Sequence, residues 1–144
     1  MAEKAQSVAN HVRFDPLFHF FVLPVFGLTL VVAVVDLVRH PSLWTAWTVV
    51  FLSAAVVAVF KIRLYTLRVQ DRVIRVEQRL RLSALLNEPL RSRIGELTEG
   101  QLIALRFASD GELAAIVAKT LDEKLSRADV KRAVQVWRAD YWRV

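Results

Sequence analysis

The chain has 144 residues, of which 55% are hydrophobic, and it carries a formal net charge of +6. Residues 1–60 contain three basic and three acidic side chains. Residues 61–144 contain 17 basic and 11 acidic ones and therefore carry the whole net charge of +6. The hydrophobicity excludes intrinsic disorder, and the lack of cysteine excludes disulfides, zinc–thiolate sites and cysteine nucleophiles. Two parts of such unlike composition indicate a membrane protein.

Two apolar runs, residues 17–35 and residues 42–60, each contain 19 residues without Asp, Glu, Lys or Arg. At 1.5 Å per residue each helix would measure about 28 Å, close to the thickness of the hydrocarbon core of a bilayer. Core helices of a soluble bundle would show a polar stripe, and the second run has too few polar residues for one. We therefore expect two transmembrane helices, joined by a turn at Pro41 and Ser42 into an antiparallel hairpin.

The first predicted span contains Pro24 and Gly27, which membrane helices tolerate better than soluble ones. His19 lies in the first turn of the apolar run, so we interpret it as a histidine at headgroup level, with a proton-handling role as the alternative. Trp44 and Trp47 lie one turn apart at the start of the second span, which is where interfacial aromatic residues are expected.

Residues 61–81 directly follow the second span and contain seven basic side chains against two acidic ones. Because cytoplasmic flanks are enriched in Lys and Arg, this end is predicted to face the cytoplasm, with both termini inside. Anionic lipid headgroups are the partners expected for Lys61, Arg63, Arg68, Arg72 and Arg75. Nucleic acid is not an expected partner, because topology already explains the charge and no base-stacking aromatic residues are interleaved.

No helix breaker occurs after the second span, so it is predicted to continue as a basic juxtamembrane helix over residues 61–87. Apolar residues recur there at intervals of four, three and four, the spacing of a coiled-coil seam. This valine–leucine seam consists of Val69, Val73, Val76 and Leu80. We expect it to pair within the chain, or with a second copy or another membrane protein. Glu77 and Arg81 are spaced for an i,i+4 ion pair.

Residues 88–144 are predicted to form a small helical module, because Glu88-Pro89 ends the long helix. Three segments, which begin at Thr98, Ser109 and Ser126, fit the capping box that starts a helix. Their apolar stripes can bury one another or lie on the long helix. The aromatic residues near the C-terminus are expected to dock on the module itself, on a partner or on the membrane surface; they are Trp137, Tyr141 and Trp142.

Sequence motifs that carry chemistry are absent, since the chain has no glycine-rich phosphate loop, no H-E-x-x-H and no EF-hand loop. We therefore expect no catalytic residue, no metal, no cofactor and no small-molecule substrate. The expected fold class is all-α. The expected parts are a cytoplasmic N-terminal segment (1–16), a transmembrane hairpin (17–60), the basic helix (61–87) and the helical module (88–144).

Six short motifs are distributed over nearly the whole chain: NHVRF (10–14), HFFVLP (19–24), VQDRVIR (69–75), IGELT (94–98), ALRFASD (104–110) and WRADY (137–141). Together they resemble a family of small bacterial two-span membrane proteins of unknown function. The resemblance implies a multi-pass protein of the bacterial cytoplasmic (inner) membrane and implies no activity. Some members are labelled as ABC transporter permeases, which suits two spans poorly because transporter folds are built from repeated helical units.

The resulting hypothesis is a non-catalytic inner-membrane protein whose cytoplasmic helical module serves as an adaptor, an accessory subunit or a self-assembling scaffold. The alternative is an oligomeric transport or channel component, in which the proline-containing first helix lines a path and His19 is exposed to it. A small membrane-bound enzyme is the third hypothesis. It would need a pocket in the tail, built around Arg106, Asp110 and Trp137.

Overall fold

The computed structural model describes residues 15–140, which form five α-helices and no β-strand. The helices are α1 (Leu23–Arg39), α2 (Leu43–Leu85), α3 (Glu99–Leu105), α4 (Asp110–Asp122) and α5 (Arg127–Ala133). The predicted all-α fold is therefore confirmed. The chain divides into two compact units between residues 68 and 69, and α2 contributes residues to both.

A π-helical turn, Phe18–Val22, precedes α1. Pro24 lies in the first turn of α1 and has no N–H to donate, so the α-helical ladder is interrupted there. The residues before it take the wider π spacing, in which the N–H of Leu23 donates to the carbonyl oxygen of Phe18. After α1, the Oγ atom of Ser42 accepts a hydrogen bond from the N–H of Thr45 at 3.1 Å and caps α2.

α2 is a single helix of 43 residues, as the lack of a helix breaker predicts, although it ends at Leu85 and not at Asn87. Its buried residues are spaced four apart, at Ile74, Gln78 and Leu82. Residues four apart lie on one face of a helix, so α2 buries a single stripe in this part of the chain. Leu82 and Leu86 belong to the hydrophobic core of the second unit.

Capping boxes begin α3, α4 and α5, as the sequence predicts, with the N-cap residues Thr98, Ser109 and Ser126. In each box the side chain three residues later accepts a hydrogen bond from the N-cap N–H. α4 ends in a Schellman turn, where the N–H of Leu125 donates to the carbonyl oxygen of Thr120 at 3.2 Å. These local signals place the three short helices of the module.

The core of the module is formed where α3 packs on α4 and α5. Its largest fully buried side chains come from all three short helices and from α2: Leu82, Leu102, Leu105, Leu113, Val117 and Val130. Burial of a leucine or valine side chain contributes about 1.5–3 kcal/mol each. The short helices are therefore held by this shared core, since helices of seven residues are too short to be stable alone.

Candidate functional site

The valine–leucine seam is exposed along its whole length. The relative exposures are 63%, 50%, 53% and 67% for Val69, Val73, Val76 and Leu80. Leu82, two residues beyond the end of the seam, is 0% exposed. After residue 68, α2 therefore has two apolar faces. The face with Leu82 packs into the module core, and the face with the seam is exposed.

Arg81 links α2 to the start of α4 through hydrogen bonds. Its Nε and Nη2 atoms donate to Oδ1 of Asp110 at 2.8 and 2.5 Å, and Nη2 also donates to the carbonyl oxygen of Ala108 at 2.7 Å. These hydrogen bonds, together with the positive charge of Arg81, hold the pKa of Asp110 below its ordinary value. The predicted Glu77–Arg81 pair is wrong, because the Arg81 guanidinium is directed to Asp110 instead.

The basic side chains predicted to meet lipid headgroups fall into two groups. Arg75 forms an ion pair with Glu99 at the start of α3, and Arg63 lies 3.6 Å from the carboxylate of Asp15. The other three are exposed, and within residues 15–140 none of them has a carboxylate within ion-pair distance: Lys61, Arg68 and Arg72. The sequence pattern cannot distinguish these groups, because all five residues follow the apolar span.

A cluster of four contacting residues lies in the unit that ends at Arg68, and it consists of Asp15, Phe18, His19 and Arg63. The Nδ1 atom of His19 lies 2.8 Å from the carbonyl oxygen of Asp15, an acceptor, so Nδ1 carries the proton in this contact. The Arg63 guanidinium lies 5.3 Å from the ring centroid of Phe18 and pairs with Asp15. His19 is half-buried in this cluster, and its ring is engaged with the backbone of the preceding turn.

The predicted interfacial residues Trp44 and Trp47 are exposed, with relative exposures of 75% and 60%. They lie in the first two turns of α2. Pro24 and Gly27 are also exposed, and a Cβ atom added at Gly27 would meet nothing within 4 Å. Within the described residues, no neighbouring helix therefore packs closely enough against Gly27 to require a glycine there.

Trp137 packs on the module itself. Its ring centroid lies 4.6 Å from that of Phe107, and its segment pairs with the strand-like residues after α3 through an antiparallel bridge at Ala108. The N–H of Arg138 donates to the carbonyl oxygen of Phe107 at 2.7 Å. The other two predicted docking residues, Tyr141 and Trp142, lie outside the described residues.

Glu112 binds the backbone of residues 135 and 136, in the same C-terminal segment, to the start of α4. Its carboxylate accepts hydrogen bonds from the N–H groups of Ser109, Gln135 and Val136 at 3.1, 3.1 and 3.2 Å. Sequence reasoning identified Glu112 as part of a capping box and missed its two bonds to the C-terminal segment. No local signal could have found them, because the partners are more than 20 residues away.

Each of the three residues named for a hypothetical enzyme pocket contacts another residue of the unit that contains the module. Arg106 forms an ion pair with Asp140 at 3.0 Å and lies 4.3 Å from the Phe107 ring centroid. Asp110 pairs with Arg81, and Trp137 stacks on Phe107. Within residues 15–140, no group of three or more His, Cys, Asp or Glu side chains could hold a metal ion.

Two helical stretches, Phe18–Arg39 and Leu43–Leu85, are long and apolar enough to cross a membrane. Comparison with curated proteins and with solved structures found no match. A sequence profile of a family of unknown function, DUF6526, matches residues 1–144. The chain therefore belongs to the family of unknown function DUF6526.

Proposed function

We propose that this protein is a non-catalytic scaffold or adaptor, anchored by a two-helix hairpin in the bacterial cytoplasmic membrane, with its helical module and both termini on the cytoplasmic side. The observation that carries the proposal is the composition of α2. One helix contains an 18-residue stretch without charge, then a basic stretch, and then Leu82 of the module core. The same element therefore supplies an anchor, a membrane edge and a docking face for the module.

The exposure of the apolar helices supports the membrane part of the proposal. In the most apolar windows of the two candidate spans, only 6% and 0% of the residues are buried. A core helix of a soluble protein would be mostly buried, and soluble monomers rarely expose apolar patches of this length. A bilayer gives these side chains an apolar environment without needing further protein contacts.

The distribution of charge supports the cytoplasmic side of the module. Lys61, Arg68 and Arg72 follow the apolar stretch and are exposed. Basic residues close to a membrane surface gain about 1 kcal/mol each from anionic lipids of the cytoplasmic leaflet. The end of α1 and the short connection to α2 contain only Arg39 and His40 as basic residues, and His40 lies 3.0 Å from the carboxylate of Asp36.

The role as a scaffold is supported by the polar contacts of the module, which join its own segments and α2. Arg81, Arg106 and Glu112 bind segments of the module to one another and to α2. These contacts stabilise a small helical structure, and the surface they leave exposed includes the valine–leucine seam. An exposed apolar stripe on a folded module is typical of a surface that binds other proteins.

The proposal is tested by cross-linking in native membranes followed by mass spectrometry. The chain has no cysteine, so a single Val73→Cys variant in the exposed valine–leucine seam can carry a photo-cross-linker, with the cysteine-free chain as the matched control. We expect carbonate-resistant membrane association and a recurrent cross-linked neighbour, which is either the same chain or one membrane protein. Monomer alone with no recurrent neighbour would contradict the scaffold role.

A further inference from the structure

We infer that the valine–leucine seam is a parallel self-association surface, at which α2 helices from further copies of this chain form a coiled coil. The inference deepens the proposed function and rests on it for the shared membrane orientation of the copies. The first observation is that the seam is exposed while Leu82, on another face of the same helix, is buried in the module core.

The spacing of the seam assigns each residue a heptad position. The intervals of four, three and four place Val69 and Val76 at position d, and Val73 and Leu80 at position a. Residues at these positions form the interior of a coiled coil. In the structure all four are at least half exposed, so the interior positions of this heptad are available.

The buried residues of α2, and the two arginines of α2 that pair with the module, lie at positions that a coiled coil leaves on its outside. In the same assignment the buried residues Ile74, Gln78 and Leu82 are at b, f and c. Arg75 and Arg81, which contact Glu99 and Asp110, are at c and b. Copies can therefore meet along the seam without displacing Leu82 or these two arginine contacts.

The charges that flank the seam favour a parallel arrangement. Arg72 is at position g and Glu77 at the following position e, and in a parallel coiled coil these positions face each other across the interface. Both side chains are exposed, and within the described residues neither has an ion-pair partner. An antiparallel arrangement would bring position g of both chains together and place Arg72 and Arg79 against arginine, which is repulsive.

The residue types indicate an assembly larger than a dimer. β-branched residues at position d, together with leucine at position a, favour three or four strands over two. Val69 and Val76 are β-branched at d, and Leu80 is at a. The seam is short, so membrane anchorage is expected to assist it by raising the effective concentration of the copies.

The test uses single-cysteine variants of the full chain in native membranes under mild oxidation. Val69→Cys, Val73→Cys and Val76→Cys are compared with Ala115→Cys, which is exposed on α4 away from the seam. We expect on the order of tenfold more same-residue disulfide at all three seam positions than at Ala115, because paired helices hold those cysteines at high effective concentration. Equal cross-linking at seam and control overturns the inference, as does a Val73 cross-link only to a different protein.

Charge reversal provides the second arm, in the Val73→Cys background. Arg72→Glu or Glu77→Arg alone should lower the disulfide yield about fivefold, and the double reversal should restore it. Residues five apart do not face each other on one helix, so the restoration can only arise between copies. A double variant that is as impaired as the singles contradicts the parallel pairing.

Carbonate extraction of the same samples separates the two proposals. Equal cross-linking at Val73 and Ala115 in carbonate-resistant protein overturns the self-association surface and leaves membrane anchorage intact. Seam-specific cross-linking in protein that carbonate extracts supports the surface and contradicts the anchorage. Native mass spectrometry in lipid discs then counts the copies, with a trimer or tetramer expected and a strict monomer contradicting the inference.

Discussion

Replacing Arg81 by methionine should loosen α4 from α2, since methionine keeps much of the apolar stem and has no donor. The Arg81 side chain is 11% exposed and donates both to Ala108 and to Asp110. The bond from its charged guanidinium to the buried Ala108 carbonyl should contribute about 1.5–3 kcal/mol. The pair with Asp110, whose side chain is 64% exposed, should contribute at most about 1 kcal/mol.

The expected total is therefore about 1.5–4 kcal/mol, which corresponds to a loss of roughly tenfold to 1,000-fold in amide exchange protection. Hydrogen exchange on the full chain in lipid discs measures this at the amides of α4. Asp110→Asn is the matched variant, and it should cost about 1 kcal/mol or less because the bond to Ala108 remains. Equal effects of the two variants, or a loss below about tenfold for Arg81→Met, would refute the view that the buried carbonyl dominates this contact.

Three further predictions concern the same module. Leu82→Ala should cost the module about 2–5 kcal/mol, whereas Leu80→Ala, with the same chemistry at 67% exposure, should change its exchange protection little. Glu112→Ala should speed exchange at the Val136 amide before it affects the middle of α4, because that amide loses its acceptor; uniform loss would contradict this. The Arg81 contact lowers the pKa of Asp110, so its stabilisation is present above the pKa of a free carboxyl and is lost as the pH falls through the lower folded pKa. The thermal unfolding temperature of Asp110→Asn should therefore depend less on pH in the acid range than that of the unchanged chain. An equal dependence on pH in the two proteins would contradict this prediction.

Features with local causes could be predicted from the sequence. The two apolar stretches, the break at Glu88-Pro89 and the three capping boxes each depend on residues within a few positions of one another. Thr98 and Gln101, for example, satisfy each other's backbone groups three residues apart, so their pattern is sufficient to place the start of α3. Such signals fix helix starts and the all-α class.

The long-range contacts could not be predicted, because they depend on which faces meet. The sequence of α2 contains two apolar stripes at helical spacing, and it does not state which one the module covers. The structure shows that Leu82 enters the core and that Val73 remains exposed. Likewise Arg81 has Glu77 within local reach but bonds to Asp110, 29 residues away, since the packing of Leu82 carries Arg81 to the start of α4.

The central claim, a membrane hairpin with its module in the cytoplasm, is tested most directly by the accessibility of single cysteines to a membrane-impermeant maleimide. The chain contains no cysteine of its own, so a label can attach only to the introduced cysteine. The two variants are His40→Cys, between the two spans, and Ala115→Cys, in the module. We expect labelling of His40→Cys in spheroplasts and of Ala115→Cys only after the membrane is permeabilised. Labelling of Ala115→Cys in intact spheroplasts, with His40→Cys protected, would contradict it.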